Sequence, residues 1–169
     1  MKIQLRNVRL SFPSLYETEK YNSEDTGKFA ASFLIEENDP QLEKVKSALK
    51  QVMSEQGIKK VKYSPLKDVT DSELDGHEGC WSLKATNTKR PLTLSRDKSA
   101  VSEADEVFYP GCYVNAVLDL GGFTNNYGSF LSAKLGGVQF YGDGESFAGA
   151  SATVDDFDSF DDDDGDVPF

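Results

Sequence analysis

The chain has 169 residues, 38% hydrophobic and 28% charged, with a formal net charge of −11. That length suits one core-forming domain plus a tail, and no apolar run reaches the about twenty residues that a membrane-spanning helix needs. Two cysteines, Cys80 and Cys112, are too few for a disulfide scaffold and suit buried thiols in a reducing compartment.

The start, MKIQLRNVRL, reads as a strand and not as a signal peptide, so a soluble intracellular protein with no membrane partner is expected. Ile3 and Leu5 alternate in one phase, and Val8, Leu10 and Phe12 in the other, which predicts a bulge near Arg6-Asn7. Residues 13–26 read as a polar loop carrying Tyr16 and Tyr21. Gly27 then opens a second strand with Phe29, Ala31, Phe33 and Ile35 on one face. Asn38 or Asp39 can cap a helix that has Pro40 in its first turn. Leu42, Val45, Leu49, Val52 and Met53 form its apolar stripe, and Gly57 ends it; Lys44, Lys46 and Lys50 belong to its solvated face. Residues 58–79 are irregular. Strands resume at CWSLKATN, PLTLS, GCYVNAVLDL, GSFLSAKL and GVQFYG, with glycine turns expected at 121–122 and 136–137. The pattern predicts a mainly β domain over 1–150, an OB-fold-like, partly closed antiparallel barrel with one packed helix, with an irregular sandwich as the alternative.

Alternation assigns faces near the end of this domain. Cys112, Val114, Ala116, Leu118 and Leu120 form an inward row, which turns Tyr113 outward; Leu131, Ala133 and Leu135 point inward, leaving Phe130, Ser132 and Lys134 on the other face. The loop between these strands presents Phe123 and Tyr127. Outward rings beside lysines are what stacking of unpaired bases requires. Lys84, Lys89, Arg90, Arg96 and Lys98 cluster within fifteen residues, and Lys59, Lys60 and Lys62 form a second group. Solvated loop charge is the bland reading of both groups. Trp81 shares parity with Leu83 and Ala85 and is expected in the core.

Enzyme signatures are weak. The stretch Asp71 to Gly76 starts like a calcium loop, but Ser82 stands where a bidentate glutamate is needed. His77 and Cys80 have ligand-like spacing without a second pair, and no serine or cysteine nucleophile motif accompanies the histidine. No catalytic residue, metal or cofactor is predicted.

The last nineteen residues, SATVDDFDSFDDDDGDVPF, hold eight of the 29 acids and none of the 18 bases. The remaining body is therefore nearly balanced, with 21 acids against 18 bases. A segment so charged and so poor in apolar residues is expected to stay unfolded. Phe157 and Phe160 interrupt the acids, and the chain ends with a ring and a carboxylate on Phe169. That end is suited to capture by a partner with an apolar pocket and a basic residue.

Two resemblances follow from these residues. Asp161, Asp162, Asp163, Asp164, Asp166, Val167, Pro168 and Phe169 resemble the tip of bacterial single-stranded-DNA-binding proteins, with Val167 in place of isoleucine. Trp81-Ser-Leu-Lys-Ala85, Lys89-Arg90-Pro91, Tyr109-Pro-Gly-Cys-Tyr-Val-Asn115, Leu135-Gly-Gly-Val-Gln-Phe140 and Asp143-Gly144-Glu145 resemble a phage family of single-stranded-DNA-binding proteins, first catalogued as a domain of unknown function. That resemblance implies an OB-fold that coats single-stranded DNA in replication or recombination, inside the host cytoplasm. It implies Lys89 and Arg90 on phosphates, and Tyr113 and Phe123 on bases. Glu36-Glu37 depart from it, standing where the family carries a lysine.

The combined expectation is a non-enzymatic protein that binds single-stranded DNA through Lys84, Lys89, Arg90, Arg96, Tyr113, Phe123, Tyr127, Phe130 and Lys134. Its tail would compete for the groove and recruit replication or recombination proteins through its tip. The alternatives are an acidic adaptor or DNA mimic whose body never touches nucleic acid, and a phage nuclease or annealing enzyme. Monomer and homodimer are both open.

Overall fold

The first strand, β1 (Lys2–Ser14), is long enough to serve two neighbours. Its first part pairs with β8 (Tyr113–Asn125) and its second with β4 (Phe29–Glu36), both antiparallel. The structure, a computed structural model, describes residues 1–74 and 76–147; Asp75 and every expectation placed on the acidic tail lie outside it. The bulge falls where alternation puts it. The β1–β8 register shifts between Leu5 and Val8, with Asn7 at φ 54°, so Leu5 and Val8 both face the core although three positions apart. A second irregularity, between Ser11 and Ser14, breaks the β1–β4 register where alternation shows no break. There Phe12, expected inward, takes φ 46° and lies 47% exposed, while Ser11 is buried.

The loop at 13–26 contains a small two-stranded arm, β2 (Lys20–Tyr21) and β3 (Glu24–Asp25). Its two-residue turn is Asn22-Ser23 at φ 52° and 68°, the left-handed pair that a tight hairpin of this twist demands. Short polar strands carry no apolar alternation, which is why the arm reads as loop. In β4, Ala31, Phe33 and Ile35 enter the core as expected. Ala30 and Leu34 on the opposite face are buried too, Leu34 under Cys80 and Phe147.

Helix α1 (Pro40–Gln56) follows its signals closely. The Asp39 side chain accepts from the Gln41 amide, Pro40 occupies the first turn, and Gly57 at φ 68° returns its N–H to the Met53 and Ser54 carbonyls. Leu42, Val45, Ala48, Leu49 and Val52 are buried against the sheet.

After α1 come β5 (Leu66–Asp68), β6 (Cys80–Asn87), β7 (Leu92–Leu94) and β9 (Gly128–Gly142). The main sheet runs β5-β6-β4-β1-β8-β9-β7, and the Thr86–Lys134 pairing of β6 with β9 partly closes it into a ring. This is the expected mainly β, OB-like architecture with one packed helix. The closing contacts β6–β9 and β7–β9 are parallel, however, within an otherwise antiparallel sheet.

Both glycine pairs correct the expected turns, because each lies inside a strand. A Cβ on Gly122 would meet Ile58 Cδ1 at 3.0 Å, so the bare backbone there lets the end of the helix approach β8. Gly136-Gly137 sits at the register shift of β8 against β9 and under β7, where a Cβ on Gly137 would lie 3.2 Å from the Leu92 carbonyl. Cys80 and Cys112 are free and buried, and burial is the main cause raising both thiol pKa values. Cys112 precedes β8 instead of lying in a strand. No helix among the described residues is long and apolar enough to cross a membrane.

Candidate nucleic-acid interface

One face of the ring collects rings and lysines from four parts of the chain. The hairpin of β8 and β9 pairs Phe123 with Phe130, whose rings stack with centroids 5.2 Å apart and planes 20° from parallel. Phe123 remains 51% exposed although nothing in the core requires it at the surface. Residues 62–63 then run beside β9: Lys62 N–H donates to the Ser129 carbonyl and Leu131 N–H to the Tyr63 carbonyl. Tyr63, 40% exposed, is thereby set next to Phe130, with the Lys67 ammonium 5.3 Å from its ring centroid. From β6 the outward Lys84 and Thr86 form the floor, and the arm supplies Glu19, Thr26 and Lys28 as the far wall. The result is an open groove of about 410 Å³.

This combination suits unpaired polynucleotide. Aromatic faces that are already desolvated on one side stack bases of any identity, while ammonium groups along the same groove meet phosphates. Another groove, of about 630 Å³, lies between Pro13–Thr18 and Glu103–Tyr109. It sets Glu17, Glu103 and Glu106 against Lys20, a balance that repels a polyanion.

The predicted residues divide by position. Lys84, Phe123 and Phe130 meet in the groove. Tyr127 sits at the hairpin tip, 76% exposed, and its carbonyl accepts from Lys62 Nζ at 3.1 Å. Arg90 reaches across to the loop after β1, donating to the Tyr16 carbonyl at 3.0 Å, with its guanidinium 5.6 Å from the Phe29 ring. Lys89 is exposed in the turn after β6. Lys134 faces a neighbouring apolar groove lined by Leu92, Leu94, Val117 and Lys2.

Tyr113 and Arg96 lie elsewhere, at the opposite end of β8 and β9. Tyr113 faces outward, as its parity requires, but it is partly covered. The Arg9 guanidinium is 5.4 Å from its ring, and Gly144 packs so closely that a Cβ there would lie 2.9 Å from Tyr113 Cε2. Arg96 rests over Tyr141 at 5.5 Å.

Several groove residues escape a reading by alternation. Tyr63 and Glu19 lie in segments that read as irregular, although the basic-aromatic run Lys59 to Tyr63 is a usable signal for the first; Lys28 opens the expected second strand but lies just before β4. Trp81 packs against the core as expected, with Lys46 Nζ 4.2 Å from its ring. His77 has a serine neighbour in space: Ser11 Oγ lies 2.9 Å from Nε2. Both residues are buried, and the imidazole sits between the Phe12 and Phe147 rings, which closes the pair to a substrate. Among the described residues no group of three or more His, Cys, Asp or Glu side chains is arranged to hold a metal.

Comparison with known proteins decides the family. Residues 1–168 match the family described as Enterobacter phage Enc34, ssDNA-binding protein. The chain belongs to this family. Putative protein p50 of Acyrthosiphon pisum secondary endosymbiont phage 1 is 39% identical over 172 aligned residues, covering 94% of this chain and 93% of that one. Among solved structures, the C-terminally truncated single-stranded DNA-binding protein of bacteriophage Enc34 is similar, with a TM-score of 0.73 and 26% identity. That match covers 86% of this chain and 88% of the other. The same phage protein in complex with ssDNA gives a TM-score of 0.75 at 24% identity, covering 86% and 89%. The fold also extends to gp2.5 of bacteriophage T7, a single-stranded DNA binding protein, with a TM-score of 0.62, 12% identity and coverage of 100% and 99%.

Proposed function

We propose that this protein binds single-stranded DNA with little sequence preference and protects it during phage replication or recombination. The observation that carries the reading is the stack of exposed Phe123 on half-buried Phe130, beside Tyr63, Lys84 and Lys28 in one groove. Family membership supports it, as does the similar Enc34 protein, whose structure was solved with ssDNA. Phe123, Phe130 and Tyr63 would stack bases. Lys84 and Lys28 would meet phosphates inside the groove, with Lys62, Arg90, Lys89 and Lys134 extending the basic track beyond it. Tyr127 would close over the strand from the hairpin tip. The role is one of binding, without catalytic turnover.

Stacking needs open base faces, so duplex should be a poor ligand. In a mobility-shift titration at low salt, a 30-mer of oligo-dT is expected to bind at least about tenfold more tightly than a duplex of equal length. Equal affinities would refute the stacking mode.

The acidic tail adds a second level to the proposal. Its eight aspartates supply a competing polyanion, and the Asp166-Val167-Pro168-Phe169 end offers a grip for replication or recombination proteins. Removing residues 151–169 is expected to tighten oligo-dT binding at low salt, with the gain fading as salt screens the competition. Unchanged or weaker binding after truncation would remove the competition from the account.

A further inference from the structure

Among the described residues, Glu19 is the one carboxylate that lines the aromatic groove. Its Oε2 lies 2.9 Å from Lys84 Nζ, and the two side chains keep 22% and 40% of their surface. Only one other ion pair occurs among the described residues, between the N-terminal ammonium and Asp119. Lys28, which lines the same groove, has no ion-pair partner among the described residues.

The arm's own backbone geometry does not depend on the Glu19 carboxylate. Glu19 N–H donates to the Lys28 carbonyl at 2.7 Å. Its own carbonyl accepts from the Thr26 amide at 2.8 Å and from Thr26 Oγ1 at 2.9 Å. The backbone is thus tied at the base of the β2–β3 hairpin whatever the side chain does. A fixed backbone and a side chain aimed at the central lysine place a negative charge where a phosphate would sit.

We propose that Glu19 is an internal stand-in for a DNA phosphate, pairing with Lys84 in the free protein and giving way when a strand enters. The inference rests on the single-stranded-DNA reading of the groove and adds a determinant of its affinity. Exchange of carboxylate for phosphate on one ammonium yields less than filling a vacant lysine, because an existing pair must first be broken. Every anion that uses Lys84 meets that cost. A strand whose bases stack on Phe123 has a second source of affinity to offset it, and a bare polyanion has none. The side-chain pair would therefore raise the threshold for occupying the groove without closing it.

The full chain carrying Glu19→Gln should bind oligo-dT about fivefold more tightly at low salt, at an unchanged melting temperature. In a Lys84→Gln background the same change should have almost no effect, since the coupling runs through that one pair. Weaker or unchanged binding by Glu19→Gln would overturn the proposal, showing that the carboxylate positions Lys84 or is idle. Equal tightening with and without Lys84 would overturn it as well, by reducing the effect to general charge. Wild-type protein that ignores oligo-dT would sink the groove reading and this inference together, whereas a binding wild type with a silent Glu19→Gln sinks the inference alone.

Discussion

Alanine in place of Phe123 is expected to lower affinity for oligo-dT by roughly ten- to a hundredfold, the loss of one base-stacking ring. The ring is half exposed and its ring partner is Phe130, so the fold has little at stake in it. The melting temperature should therefore stay close to that of the wild type while binding collapses. Tyr127→Ala is the graded comparison. Its ring is the more exposed of the two, but it sits at the tip of the hairpin and outside the lining of the groove. Its loss should cost much less. Fluorescence titration and thermal melting of the three proteins check both halves of the expectation. Affinity unchanged in Phe123→Ala would remove the stack from the binding site.

The opposite signature is expected for Phe147→Ala: lower stability with the aromatic groove intact. Phe147 is 3% exposed and packs with Leu34 and Cys80 on the outer face of β4. Its ring also lies 4.4 Å from the Arg9 guanidinium and 5.5 Å from the His77 ring. The Phe147 amide donates to the Pro110 carbonyl, and Arg9 Nη2 donates to the Glu145 carbonyl. Gly76 is bare beneath it, because a Cβ there would strike the ring at 2.1 Å. Truncation empties a closed apolar site and removes a cation–π contact. About 3 kcal/mol of stability should be lost, or about 10 °C in Tm. None of these contacts belongs to the aromatic groove, so oligo-dT affinity should hold at temperatures where the variant is folded. Calorimetry reads the first effect and titration the second; an unshifted Tm would contradict the packing described for this strap.

How much of this was legible beforehand depended on whether a local rule governed the element. Helix α1 was readable end to end because its cap, its proline, its stripe and its terminal glycine are local signals. The β1 bulge was readable for a similar reason: two apolar phases on one strand must meet at a break. The outward placement of Phe130 and Lys84 followed from the alternation of buried neighbours.

What alternation could not supply was partnership across the ring. Tyr113 has the right parity, yet residues 143–147 fold over that end of β8 and leave it half-buried. The glycine pairs imitate turns because their purpose is close approach, of α1 at Gly122 and of β7 at Gly137. Neither approach is visible until the helix and strand are placed. Tyr63 and Glu19 enter the groove from loop-like segments that carry no periodicity. Ser11 meets His77 across 66 positions, a distance no motif spans. Membership in the phage family was carried by short residue runs, and it gives the groove its context without assigning a role to any one side chain.

Photo-cross-linking addresses the central claim most directly. Full-length protein bound to oligo-dT is irradiated in the ultraviolet, digested, and the thymidine-bearing peptides are sequenced by mass spectrometry. The account predicts adducts on Phe123, Phe130 and Tyr63, lost when excess unlabelled single strand is present. Adducts confined to the exposed face of α1, or to the region around Tyr113 and Tyr141, would show that unpaired bases are held somewhere other than this groove.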